Sequence, residues 1–259
     1  MSIPIWKTVL HEYSSKPEPA RLPPADPKRQ RLKPHERKAF IIQAAADIIA
    51  HKGFQSMSMQ DVANEIGTSE AALYHYVHSK DELLTLVLDR TYENPEADHA
   101  TYAEASGTDV DGHRFFYFPR SCVNLIGYNM SRPQMVRMFS LLNGESLNPN
   151  HPAHEYFVQR HFNNWAYFSH INWVLPQGMS LDDFHHLWRL TMSAMDGLQY
   201  RWFAGEIDDP GEEWLHFSDH LFPQEEWNHL LDPTLYTPED GCLSHLGLLT
   251  RNNTHEDNN

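Results

Sequence analysis

"SMQDVANEIGTSEAALYHYVHSKDELL", residues 58–84, holds three helix starts in close succession. Ser58 stands as an N-cap with Asp61 where a capping-box acid reaches back, Val62 and Ile66 share the inward face, and Gly67 supplies a left-handed exit. Thr68 and Ser69 open the second segment, "TSEAALYHYV" (68–77), which reads as a short helix too small to make a core alone. It must be held by neighbours and aimed at something. Ser79 and Glu82 have the spacing of a capping box for the third helix, which continues through Leu83, Leu84, Val87 and Leu88. The first two helices are separated by only about three residues, the tight connection of a helix-turn-helix.

Upstream, Phe40, Ile41, Ala44, Ala45, Ile48 and Ile49 recur at spacings of three and four, and Gly53 follows as a stop, so a further amphipathic helix leads into the motif. The chain before it, residues 1–33, ends in the proline-broken basic run "KPEPARLPPADPKRQRLKP" and reads as a flexible arm. Its Arg29, Arg31 and Lys33 are a solvated linker or a minor-groove arm. Residues 34–83 are thus assigned to a helix-turn-helix domain, 84–232 to a larger helical domain and 233–259 to a C-terminal tail. Helices are expected near 113–130, 132–147, 152–175, 180–204 and 211–231; no sustained period-2 alternation bounded by hairpin turns occurs. The fold class is all-α.

Charge divides the chain in the same place. The formal net charge of -15 argues against a polyanionic partner. That average conceals a front, residues 28–60, with seven Lys and Arg against Glu36 and Asp47, and a body, from residue 91 onward, with 8 arginines against 24 acids. A basic front on an acidic body confines any polyanion to one end of the molecule. In 259 residues, 41% hydrophobic and 12% aromatic, there is material for a buried core. No run is apolar enough to span a membrane and no secretory h-region is present, so the chain is read as cytoplasmic. Cys122 and Cys242 make neither a disulfide framework nor a metal cluster and are read as buried free thiols.

Together with "AAADIIAHKGF" (44–54), the stretch 58–84 resembles the DNA-binding domain of the TetR family of bacterial transcriptional regulators. The Asp-apolar-Ala triplet, the Gly before the turn, the Leu-Tyr pair and the Lys-Asp-Glu-Leu-Leu start all stand at the family's spacing. "VRMFSLLNGESLNPNHPAHEYFVQRH" (136–161) and "MDGLQYRW" (195–202) are similar to the body of a subset of that family. The resemblance implies a repressor that binds a pseudo-palindromic double-stranded DNA operator as a homodimer and is released by a small-molecule effector, with no cofactor, no metal and no catalysis.

The residues themselves supply a chemistry for that expectation. A helix fits the major groove, and its first turn approaches the base edges. Here that turn holds Thr68, Ser69, Glu70, Ala71 and Ala72: hydroxyls that donate or accept, a carboxylate that accepts from a cytosine amine, and methyls that touch thymine. Tyr74 and His75 are placed for flanking phosphates, a role the resemblance also gives Tyr74, with Lys80 and Ser58 adding phosphate contacts from adjoining helix starts.

In the body, Phe184, Trp188, Thr191, Met195, Leu198 and Trp202 repeat at 4 and 3, the spacing of a seam against another helix, and are assigned to a dimer interface. Phe116, Tyr128, Met135, Met138, Phe139, Trp165 and Phe168 offer aromatic and thioether surface for an effector cavity. The helix 152–175 bears aromatics on several sides and should be covered on most of its surface. Among eighteen histidines, His151 and His154 stand i and i+3 beside Glu155, which raises the rival reading of a His-dependent metalloenzyme with a vestigial helix-turn-helix. The plainer reading of "HPAHE" is helix capping and surface solvation. A third reading, a protein-interaction module without DNA, predicts no salt-sensitive binding to promoter DNA.

Overall fold

The computed structural model describes residues 33–89, 106–108 and 114–227; the arm up to residue 32, Cys242 and the tail lie outside them. In chain order the elements are α1 (Pro34–Lys52), α2 (Met59–Glu65), α3 (Glu70–Leu73), α4 (Lys80–Val87), β1 (Ser106–Thr108) and β2 (Arg114–Tyr117). They continue with α5 (Phe118–Met130), α6 (Pro133–Glu145), α7 (His154–Phe168), β3 (Trp173–Val174), α8 (Leu181–Phe203), α9 (Pro210–Leu221) and α10 (Gln224–Trp227). The fold is predominantly helical, as expected. The one small sheet was not expected: β1 pairs antiparallel with β2 through Ser106 and Phe116, and β2 pairs parallel with β3 through Phe116 and Trp173. Strands of two to four residues are too short to show a period of two.

The described residues fall into two compact units. The first comprises 33–89 and 132–161. Its core joins Ile41, Ala45 and Ile49 of α1, Val62 and Ala63 of α2, Leu73 and Val77 around α3, and Leu83, Leu84 and Val87 of α4 with Met138 and Leu142 of α6. Burying each large aliphatic side chain here contributes about 1.5–3 kcal/mol. The boundary drawn from sequence at 83/84 falls inside α4, and this unit extends well beyond the helix-turn-helix to take in α6.

The second unit comprises 106–108, 114–131 and 162–227. Phe118 of α5, Trp173 of β3, Phe184 and Trp188 of α8 and Trp214 of α9 form its aromatic centre. Phe118 meets Trp173 and Phe184 edge to face with centroids 5.4 and 5.0 Å apart, a favoured arrangement of aromatic quadrupoles. Cys122 is a buried free thiol in this core, and burial pushes its pKa well above the ordinary value. No helix among the described residues is long and apolar enough to cross a membrane.

Candidate nucleic-acid interface

The caps read from sequence are formed. The Ser58 hydroxyl accepts from the Asp61 N–H at 3.1 Å, and Asp61 returns a carboxylate to the Ser58 N–H at 2.7 Å. Lys52, at the end of α1, reaches the same carboxylate at 2.8 Å. The bond from Lys52, reinforced by those from Ser58, holds the Asp61 carboxyl far below the usual carboxylate range. α1 and α2 are thereby tied at their meeting point. Gly67 turns the chain with φ +65°, and the Thr68 N–H donates back to the Ala63 carbonyl at 2.9 Å, fixing the turn ahead of α3.

The segment 68–77 is less helical than its sequence suggests. Only Glu70–Leu73 is α-helix; Ser69 caps it by accepting from the Ala72 N–H at 3.2 Å. Beyond it the bonds tighten to three-residue spacing, from the His75 N–H to the Ala72 carbonyl and from the Tyr76 N–H to the Leu73 carbonyl. Leu73 and Val77 are fully buried and pin the segment from below. Ser69, Ala71, Tyr74 and His75 face solvent, and Thr68, Glu70 and Ala72 are half-buried. Tyr74 keeps 41% of its surface, large for an aromatic side chain with an apolar core close by. Ser58 is also exposed. The residues expected to read bases and touch phosphates therefore lie on an accessible ridge.

Lys80 differs. Its ammonium donates to the Gln55 carbonyl at 3.2 Å and lies 4.3 Å from the centroid of the Phe54 ring. Burial pushes its pKa below the ordinary value, opposed by the carboxylates of Glu145 and Asp81. Lys80 thus braces the α1–α2 turn. The capping box at Ser79 is displaced by one residue: Ser79 accepts from the Glu82 N–H at 3.0 Å, while Glu82 reaches the N–H of His78 at 2.7 Å.

One residue that sequence reasoning passed over and one that it placed at the surface complete this neighbourhood. Glu145, the last residue of α6, accepts from the Phe54 N–H at 2.9 Å and from the Gln55 N–H at 3.3 Å. His151, expected at the surface, is buried: its ring meets Phe54 edge to face at 5.3 Å, and its Nδ1 accepts from the Ala153 N–H at 3.2 Å. With Nδ1 accepting, the ring N–H is on Nε2, 3.5 Å from Glu145, within electrostatic reach but too long for a made hydrogen bond. His154 places Nδ1 2.8 Å from the Ser146 carbonyl. Both histidines of "HPAHE" are engaged with the protein, and among the described residues no group of three or more His, Cys, Asp or Glu is placed to hold a metal ion.

In the body, the stripe assigned to a dimer interface turns inward. Phe184, Trp188, Thr191, Met195 and Leu198 are buried in the second unit's own core, and Trp202 is half-buried. Heptad spacing reports a seam, and the seam is internal. The open face of α8 is the other one, with Leu190 at 57% and Tyr200 at 45% exposure and open space over Gly197. The residues proposed for an effector cavity separate: Phe116, Tyr128, Trp165 and Phe168 pack in the second unit, whereas Met138 belongs to the core under the helix-turn-helix, and Met135 and Phe139 share its helix. α7 is not covered as expected. Only Phe168 on it is buried, and Phe162 keeps 67% of its surface. Buried polar groups that composition did not flag include Asn124 on α5 and the Trp214 indole N–H, which has no hydrogen-bond partner among the described residues.

Comparison with known proteins points to the same segment. Residues 41–87 match the family model described as bacterial regulatory proteins, tetR family. An HTH-type transcriptional repressor of Streptomyces coeruleorubidus, DrrR1, is 45% identical over 58 residues, 21% of this chain and 22% of the relative. The chain thus spans about a fifth of the length of that curated relative. Two solved structures share the fold over a longer stretch. A TetR-like transcriptional regulator from Rhodococcus sp. RHA1 is 19% identical with a TM-score of 0.53, covering 73% of this chain and 97% of that one. A transcriptional regulator from Saccharomonospora viridis in complex with choline is 18% identical with a TM-score of 0.51, covering 72% and 96%.

Proposed function

We propose that the chain, whose residues 41–87 match the family model of tetR-type bacterial regulatory proteins, is a ligand-responsive, non-enzymatic transcriptional repressor of that family acting in the cytoplasm. It binds a pseudo-palindromic operator as a homodimer and leaves it when a small molecule occupies the body. The observation that carries this reading is the exposed ridge of Ser69, Ala71, Tyr74 and His75 on a segment pinned by buried Leu73 and Val77. Small side chains at the first turn admit the helix to the major groove; Tyr74 and His75 meet phosphates on its flank.

Two copies meet through the open face of α8, where Leu190, Ser193, Gly197 and Tyr200 recur at helical spacing. An isologous contact on this face presents two reading segments with two-fold symmetry, which a palindromic site requires. The effector occupies the aromatic body, contacted from Phe116, Tyr128, Trp165 and Phe168. The relative solved with choline fits a pocket in which aromatic faces meet a small organic cation.

The test is a gel shift with a duplex carrying the promoter of the chain's own gene, at several salt concentrations. Wild-type protein binds with an affinity that falls steeply with salt, and Tyr74→Ala loses about 1–2 kcal/mol with the slope unchanged, because a neutral phenol displaces no counterion. Salt-insensitive binding, or an unaffected Tyr74→Ala, refutes the reading. Stoichiometric zinc in purified protein, lost with His151→Ala, would favour the metalloenzyme instead.

A further inference from the structure

We infer that Glu145 is the positioning residue of the DNA-reading head, holding the α1–α2 turn so that α6 sets the orientation of α2 and α3; this rests on the DNA-binding reading above. The turn Gly53–Phe54–Gln55 is gripped from two sides. Its two consecutive N–H groups donate to Glu145 at the end of α6, and its Gln55 carbonyl accepts from Lys80 at the start of α4. Phe54 meets the His151 ring edge to face and carries the Lys80 ammonium over its own ring. Gly53 has φ +79°, and a Cβ there would collide with the Glu145 carboxylate, so the approach of backbone to acid is as close as a glycine permits. From the turn the path to the reading head is short: the Phe54 carbonyl accepts from the Met57 N–H at 3.1 Å, and the next residue is Ser58, the cap of α2.

Helix stability alone does not select this residue. A carboxylate at the C-terminal end of α6 faces the negative pole of that helix, where a cation or a neutral side chain is favoured, and the last turn holds no basic residue to offset it. What stabilises the acid is the turn it grips, through charge-assisted bonds from two backbone donors. α6 meanwhile places Met138 and Leu142 in the same core as α1–α4. A shift of α6 along its axis therefore carries the Glu145 carboxylate, and the turn with it.

The experiment measures affinity for the promoter duplex across salt for wild type, Glu145→Gln and His151→Phe, with circular dichroism and amide exchange on each protein. A carboxylate acting only through its charge repels DNA, so its neutralisation would tighten binding. The positioning role gives the opposite sign. We expect Glu145→Gln to weaken binding about tenfold with the wild-type salt slope and helix content, and the Phe54 and Gln55 amides to exchange faster. Tighter or unchanged binding overturns the inference. Should Glu145→Gln fail to fold, His151→Phe keeps an aromatic ring beside Phe54 and removes the N–H facing the acid. It is expected to bind about threefold more weakly, and unchanged affinity in that variant overturns the inference as well. Wild-type protein without salt-sensitive affinity sinks the DNA-binding reading and the inference together; wild-type binding indifferent to Glu145 sinks the inference alone.

Discussion

Asp61 does the work of three contacts with one carboxylate: it caps α2 through the Ser58 N–H, accepts the Ser58 hydroxyl at 2.6 Å and pairs with Lys52. These bonds depress its pKa in the folded chain, so their stabilisation is complete above the ordinary carboxylate range and is lost as pH falls through the depressed value. Wild type should accordingly lose thermal stability on acidification faster than Asp61→Asn, and the two should converge at low pH; parallel curves would show that the carboxylate contributes nothing. At Gly53 the positive φ and the proximity of Glu145 act together, and Gly53→Ala should cost about 1–3 kcal/mol in urea unfolding. Ser180, whose hydroxyl accepts from the Asp183 N–H at 3.1 Å to cap α8, should cost about 1 kcal/mol as Ser180→Ala.

The helices differ in how far their sequence reveals them. α1, α2 and α4 were legible because local chemistry marks their ends: Gly53 closes α1, Ser58 and Gly67 bracket α2, and Ser79 opens α4. α3 was legible in place but not in length, since the tightening after Leu73 depends on Val77 being drawn into the core. β3 was invisible: Trp173 and Val174 fell inside the helix expected over 152–175, and only pairing with β2 makes them a strand. For α8, a 4-3 repeat marks a buried seam without stating whose surface buries it. The answer predicts two opposite outcomes on one helix. Trp188→Ala should destabilise the chain by about 3–5 kcal/mol, whereas Leu190→Ser should change stability by under about 0.5 kcal/mol and shift a sedimenting dimer toward monomer. A dimer unaffected by Leu190→Ser would place the interface elsewhere. Glu145 escaped the sequence reading and His151 was read as solvated, because a lone acid at a helix end and a histidine in a polar loop look exposed until the turn at Phe54 is folded over them.

At the scale of the molecule, sequence showed two electrical domains, and the structure shows two compact units that do not follow the same boundary, since α6 of the acidic body folds with the basic front. The described tryptophans, Trp165, Trp173, Trp188, Trp202, Trp214 and Trp227, all lie in the second unit, while the first carries tyrosines such as Tyr74, Tyr76 and Tyr156. The two halves consequently emit differently under ultraviolet light. Indole fluorescence from these six rings follows the body alone, including quenching where Trp165 stacks on His185 at 3.8 Å. A titrated small molecule that alters the emission while promoter DNA is still bound would separate occupancy from release, without any label attached to the chain.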